Sequence, residues 1–373
     1  MTFACTQENL LQGLQMVSHV GTKNVNLPIL SNVLLKTEAG SLKLSATNLE
    51  MAVNCTVRGR VDREGEYSVP AKLFLDYVSL LPSGKIELEL KEEGLEVRST
   101  EQETVLRGAA ASEFPLLPKV ATGGGFNLTM TDAKRAISQV GFAVSNSDSR
   151  PELSGVAVFA TRGTPGTVLF VATDSYRLAE RTISSSVVTA DVRTIVPARA
   201  MAEIGRILGA YNDELEGAVT ARFVFSENQL VVTCGTVELV TRLIDGSFPD
   251  YIQIIPKTFQ TDIVLARQEF QKAVRAASLF AKTGVYDIHV AVSTDGCVVR
   301  SNEQETGKTR TLLKGSVTGP TNEVTLNFKY VSDGLGALGT DSVHIHLIDA
   351  MSPVLLTPAG DTGYRYIVMP IRQ

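Results

Sequence analysis

Two periodicities alternate along the chain. Leu10, Leu14 and Val17 recur at i, i+4 and i+7, which predicts a helix with one buried stripe. Ala133, Ile137 and Val140 repeat that spacing, as do Phe270, Val274 and Ala277. Gln7-Glu8, Thr131-Asp132 and Gln268-Glu269 put an acid in the first turn of each, where the helix dipole favours it. Between these helices the period falls to two. Ser41-Leu42-Lys43-Leu44-Ser45-Ala46, Lys85-Ile86-Glu87-Leu88-Glu89-Leu90 and Val343-His344-Ile345-His346-Leu347 alternate as strands with one wet face do. Glu38-Ala39-Gly40, Glu92-Glu93-Gly94, Ser226-Glu227-Asn228 and Thr294-Asp295-Gly296 supply turns. A second helix is predicted from Lys72 to Leu81, with Pro82 helping to end it.

The plan repeats. Val69-Pro70-Ala71-Lys72 returns as Val196-Pro197-Ala198-Arg199, Ala46-Thr47-Asn48 as Ala172-Thr173-Asp174, and Glu113-Phe114-Pro115 as Ser247-Phe248-Pro249. The shared order and an offset of about 125–135 residues indicate a domain-sized repeat rather than a solenoid. Leu326-Asn327-Phe328-Lys329 marks a more divergent third copy. Each copy reads helix–strands–helix–strands, an α+β domain with mainly antiparallel sheet. The expected domains are residues 1–122, 123–256 and 257–373, with linkers near Thr122-Gly123-Gly124-Gly125 and Pro256-Lys257-Thr258.

A length of 373 residues and a hydrophobic fraction of 44% suit several folded domains. No run approaches the ~18 apolar residues of a membrane span. The first residues lack a basic segment followed by an apolar core, so no cleaved secretory signal is expected. Cys5, Cys55, Cys234 and Cys297 are far apart, which suits reduced thiols in a cytoplasmic protein. A net charge of −5 argues against an indiscriminate nucleic-acid binder. Three predicted helices run against that balance. They carry Lys134, Arg135, Arg199, Arg206, Lys272, Arg275 and Lys282 against Asp132, Glu203 and Glu269, a net of +4. Positive helices on an acidic chain suit a surface that meets a phosphate backbone without reading bases.

Catalytic motifs lack their contexts. Gly334-Leu335-Gly336-Ala337-Leu338-Gly339 matches a dinucleotide fingerprint but closes a predicted helix and leads into a strand, the reverse of the required order. His344 and His346 share a strand face as two possible metal ligands. No third ligand completes the set in the sequence, so an exposed strand face is expected and no metal or cofactor. Asp174 with Arg177 reads as a structural ion pair, with no nucleophile for it to serve. A non-catalytic protein is expected.

Four segments carry a resemblance: Leu27-Pro28-Ile29-Leu30, Ala172-Thr173-Asp174-Ser175-Tyr176-Arg177-Leu178, Asp245-Gly246-Ser247-Phe248-Pro249-Asp250-Tyr251 and Tyr366-Ile367-Val368-Met369-Pro370-Ile371-Arg372. Together, and in this order, they closely resemble the bacterial DNA polymerase III beta subunit family, the sliding clamps, over essentially the whole chain. The resemblance implies three clamp domains per protomer and a ring-shaped head-to-tail homodimer, with helices lining a hole for double-stranded DNA. A topological link of this kind lets an acidic protein hold DNA through weak, screened contacts that permit sliding. Lys72, Lys134, Arg199, Arg206, Lys272 and Arg275 become candidates for the inner surface, with Lys23 and Arg150 in loops beside the hole.

The resemblance also implies a pocket for a short linear motif carried by the replicative polymerase alpha subunit and by other replication and repair proteins, and a clamp loader that opens the ring. Its wall maps to Arg150, Leu153, Tyr176, Leu178, Pro249, Ile254, Asn327, Tyr330, Met351, Ile367, Met369, Pro370, Ile371 and Arg372. Most are apolar or aromatic, as a peptide-anchoring pocket requires. Glu152 and Gln253 depart from the family pattern, where an aromatic and a basic residue can occur. In this family the ring closes by pairing an edge strand of domain one with one of domain three. Glu101 and Glu103 fall on the first edge and Lys308 and Arg310 on the second, with Leu106 and Leu279 supplying apolar contact. Two other readings stay open at this level. One is a monomeric peptide-binding adaptor; the other is an enzyme using Asp174, Tyr176 and Arg177.

Overall fold

Each amphipathic stripe becomes a buried helix face in the computed structural model, which describes residues 1–21, 27–116, 123–147, 149–185, 187–211 and 220–372. Six α-helices occur among the described residues: α1 (Gln7–Val17), α2 (Ala71–Leu80), α3 (Met130–Val140), α4 (Ala198–Ala210), α5 (Arg267–Ser278) and α6 (Phe328–Ala337). Leu10, Leu14, Val17, Ala133, Ile137, Val140, Phe270, Val274 and Ala277 are all buried. The repeated tetrapeptides mark one junction three times. Strand Gly65–Pro70 runs into α2, Val192–Pro197 into α4, and Asn322–Asn327 into α6. Proline suits the first two junctions because it cannot donate within a helix and presets φ at the bend. In the third copy Asn327 replaces it and caps the helix, its Oδ1 accepting from the Lys329 amide at 2.9 Å.

All strand pairings among the described residues are antiparallel, in sheets of five, eight, nine and four strands. Two sheets run through domain joints. Met51–Val57 of the first copy pairs with Val237–Arg242 of the second, with Cys55 opposite Val237 and Met51 opposite Thr241. Arg177–Ser185 of the second pairs with Tyr364–Val368 of the third, with Leu178 opposite Ile367. The packing forms two units: Met1–Ala133 with Val187–Ala190 and Ala202–Leu243, and Lys134–Ser186 with Asp191–Met201 and Ile244–Gln373. The middle copy contributes to both.

The structure revises two expectations and bears out a third, the glycine run that closes a helix ahead of a strand. Of the predicted linker at 122–125, Thr122 lies outside the described residues, and Gly124 and Gly125 belong instead to a strand, Gly124–Thr129. A Cβ on Gly125 would stand 1.9 Å from the Phe223 carbonyl oxygen, so glycine there permits close strand approach. α5 ends at Ser278, so Lys282 lies beyond it and does not add to its charge. In the dinucleotide-like run, Gly334 lies inside α6, where a Cβ would meet the Tyr366 ring at 2.2 Å. That glycine makes room for a core tyrosine.

All four cysteines are free and buried. Burial pushes the Cys5 and Cys297 thiols up to about 12 and Cys55 to about 11, so these three stay protonated and inert at neutral pH. No helix is long and apolar enough to cross a membrane among the described residues.

Candidate functional site

A turn built the same way in two copies positions the most exposed aromatic of the site. In the first copy Thr47 Oγ1 donates to the Met51 carbonyl at 2.8 Å, and Asn48 Oδ1 accepts from the Glu50 and Met51 amides. In the second, Thr173 Oγ1 donates to the Arg177 carbonyl at 2.6 Å, and Asp174 Oδ1 accepts from the Tyr176 and Arg177 amides at 2.9 and 3.0 Å. Both turns force the residue after the Asx side chain into the left-handed region, Leu49 at φ 76° and Ser175 at φ 79°. The repeated Ala-Thr-Asx tripeptide is therefore a turn signal with a mechanism. In the second copy it holds Tyr176 63% exposed.

Buried aliphatic side chains on and around the strand that follows that turn form a candidate floor. Leu153, Leu178 and Ile367 are buried in one cluster with Phe248, Tyr251 and Leu355. Ile367 stands opposite Leu178 on one side and Leu355 on the other. The C-terminal tail is tied down beside it, the Met369 amide donating to the Tyr176 carbonyl at 2.9 Å and the Ile371 amide to the Thr325 carbonyl at 2.8 Å. Pro249, Met369, Pro370 and Ile371 are half-buried, whereas Ile254 is 42% and Met351 52% exposed on separate segments. Asn327 belongs to the α6 cap, and Arg372 is exposed on the tail. The neighbouring Ile252, at 62% exposed, adds a further apolar side chain, and its position next to the Pro249-Asp250-Tyr251 motif is its signal in the sequence.

Arg177 organises the wall. Its Nε donates to Asp174 Oδ2 at 3.0 Å, its Nη1 to Asp333, and its Nη2 to the Phe142 carbonyl at 2.8 Å. The guanidinium also lies 4.7 Å from the Tyr330 ring centre and 5.4 Å from that of Phe142. Burial opposes its charge, but the hydrogen bond to Asp333 and the Asp174 carboxylate outweigh this and hold its pKa above the ordinary arginine value. Burial raises the Tyr330 hydroxyl too, so the ring stays neutral. Arg150 donates from Nε to Glu152 and from Nη1 to Ser175 Oγ, both at 3.1 Å, bracing the same turn from outside. The Glu152 departure thus gains a partner, and its carboxyl is lowered by hydrogen bonding to its own amide and to Arg150. Gln253 donates to Asp250 at 2.8 Å.

The candidate inner-surface cations have different surroundings. Lys72 on α2, Arg199 on α4, and Lys272 and Arg275 on α5 are exposed, with no ion-pair partner among the described residues. Lys134 on α3 is half-buried, and Lys23 lies outside the described residues. Arg206 differs from the expectation. Its guanidinium grips Glu203 and donates to the carbonyls of Gln15 at 3.0 Å and Met16 at 2.6 Å, capping the end of α1. A cation committed in this way is structural.

The two candidate seam strands are terminal: Glu103–Leu106 ends the five-stranded sheet and Gly307–Leu313 the four-stranded one. Glu103 and Val105 alternate outward on the first, and Lys308, Arg310 and Leu312 on the second. Glu101 precedes its strand and is exposed. Leu106 is 4% exposed and packs inward, so the outward apolar residue there is Val105, at 39%. Leu279, past the end of α5, is 72% exposed.

Three copies of a two-helix, antiparallel-sheet domain, with a strand that ends its sheet in each outer copy, define a DNA-clamp fold. Known proteins agree. Residues 1–118, 127–250 and 252–372 match the N-terminal, central and C-terminal domains of the DNA polymerase III beta subunit. The chain belongs to that family. It is 27% identical to the beta sliding clamp of Staphylococcus aureus over 384 aligned residues, covering 100% of this chain and 99% of that protein. It is 28% identical to that of Synechocystis over 396, with the same coverage. The DNA polymerase III subunit beta from Pseudomonas aeruginosa superposes with a TM-score of 0.92 at 28% identity, covering 100% of both chains. The function is that of a DNA sliding clamp, a processivity factor of replication, and nothing observed favours the monomeric adaptor.

Proposed function

We propose that Tyr176, Leu178, Leu153, Ile367 and Met369, with Pro249, Ile254, Asn327, Tyr330, Met351, Pro370, Ile371 and the flanking Arg150 and Arg372, form the pocket through which this clamp holds its partners. These are the replicative polymerase alpha subunit, the clamp loader and other proteins of replication and repair that carry a short apolar motif. The observation that carries this reading is the exposed Tyr176, held by a turn with Ser175 at positive φ and hydrogen-bonded through its carbonyl to the half-buried apolar tail at Met369. A peptide anchor gains most where it covers accessible apolar side chains of this kind. Tyr176→Ala removes one wall and leaves the floor intact. A labelled peptide from the tail of the cognate polymerase is expected to bind about tenfold more weakly, a loss of about 1.4 kcal/mol. Unchanged affinity by fluorescence anisotropy would refute the assignment.

Lys72, Lys134, Arg199, Lys272 and Arg275 are assigned to the DNA-facing surface, with Lys23 and Arg150 beside it. Arg206 is excluded because its charge is used internally. Domains divide at 122/123 and 256/257, the protomers close head to tail into a homodimeric ring, and the protein works in the cytoplasm without catalysis of its own. The test is retention on singly nicked circular DNA after loading, against the same DNA linearised. Release on linearisation is the expected result, because contacts alone survive the cut and a topological link does not. Equal retention on both forms would overturn the sliding mechanism.

A further inference from the structure

In the sequence His344 and His346 stand as two ligands without a third; strand pairing supplies one. Asp262, on strand Thr261–Ala266, lies in register opposite His346 on Ser342–Leu347. The two imidazoles leave the same strand face half-buried, with ring centres 5.8 Å apart and planes 18° from parallel. The carboxylate spans them, Oδ2 lying 2.5 Å from His346 Nδ1 and Oδ1 3.5 Å from His344 Nδ1. One donor atom from each residue falls within 4.8 Å of the others. Zinc takes nitrogen and oxygen ligands at about 2.0–2.2 Å, which places tetrahedral donors about 3.3 Å apart. The two carboxylate–imidazole distances lie on either side of that spacing, and side-chain rotation on a fixed strand pair closes the difference.

The surroundings suit a metal too. His346 Nε2 is 3.0 Å from Thr357 Oγ1 on the next strand. When the hydroxyl accepts from Nε2–H, Nδ1 is left as the ligating nitrogen, the usual outer-shell arrangement around a metal-bound histidine. The Phe259 ring, 4.8 Å away, restricts the other side of His346. A cavity of about 450 Å³ borders both histidines, with Pro256, Leu355 and Arg365 in its lining, and gives room for water at a fourth position. Two imidazoles with a single carboxylate favour zinc-like ions over magnesium or calcium, which require more oxygen ligands.

We propose that Asp262, His344 and His346 form a binding site for one divalent zinc-type ion per chain, clipping strand Thr261–Ala266 to strand Ser342–Leu347. The full-length protein, stripped with chelator, is titrated with Zn²⁺ against a chromophoric competitor, and melting is followed in parallel. One ion per chain is expected, with a zinc-dependent rise in Tm. Thr357→Val should weaken binding about 10–100-fold and Asp262→Asn with His346→Gln by about 100-fold or more, abolishing the rise in Tm. Should that double variant fail to fold, His344→Gln, on a more exposed side chain, is expected to lose at least about tenfold. Zinc affinity unchanged in these variants would place the ion elsewhere and overturn the proposal. Displacement by millimolar Mg²⁺ would do the same, since it would indicate an oxygen site.

Discussion

Reversing Lys308 and Arg310 to glutamate turns the proposed dimer into monomers, raising its dissociation constant about 100-fold or more, some 2.7 kcal/mol. The basis is the phase of the two terminal strands. Glu103 and Val105 face out on one edge, and Lys308, Arg310 and Leu312 on the other. In the proposed head-to-tail closure acid would meet base and Val105 would meet Leu312, with exposed Leu279 adding apolar area. Opposite charges at such a rim add little affinity, but like charges facing each other cost several kcal/mol. Reversal therefore does more harm than neutralisation, and the compensating change is diagnostic. Glu101→Lys with Glu103→Lys in the same chain should restore the dimer in sedimentation equilibrium. A four-residue variant that stays monomeric while folded would dismiss this pairing.

Arg177→Ala is expected to destabilise the protein by about 3 kcal/mol and to lower peptide affinity with it. The guanidinium serves Asp174, Asp333 and the Phe142 carbonyl and lies against two aromatic rings, with only 11% of its side chain exposed. Truncation leaves the Asp174 and Asp333 carboxylates and the part-buried Phe142 carbonyl without their shared donor. Asp174 is also the acceptor that holds the turn presenting Tyr176, so the loss reaches the pocket wall. Arg177→Lys should recover little, because one ammonium cannot span three directions or stack on a ring as a planar fork does. Urea unfolding checks this. A loss below about 1 kcal/mol would show that water replaces these contacts freely.

What was legible in the sequence was local. Leu10, Leu14 and Val17 announce a helix because three or four residues make one turn, and the Val-Pro-Ala junction marks where a strand ends because proline constrains its own backbone. Ala172-Thr173-Asp174 was visible as a repeat, although its role as a turn emerged only from its hydrogen bonds. The misses share a long-range origin. Leu106 and Val105 differ only in the phase of an alternation, which the neighbouring strand decides. Arg206 looked like a surface cation because the α1 carbonyls it caps lie about 190 residues earlier. Asp262 is some 80 residues from its two histidines and meets them only through sheet register. The glycines at 123–125 looked like a linker because composition cannot distinguish a flexible stretch from one pressed against a neighbouring backbone.

The sheets that run through the two domain joints have a mechanical consequence. Each joint is laced by five registered residue pairs between strands of different copies, so parting it means breaking a row of backbone hydrogen bonds together. The proposed seam between protomers offers a strand of four residues, Glu103–Leu106, held by charge and a little apolar area. Under load, such an assembly behaves as stiff links closed by weaker latches. A loader prying it open would find the latch yielding before any link, and a salt jump would loosen the latch while leaving the links almost untouched.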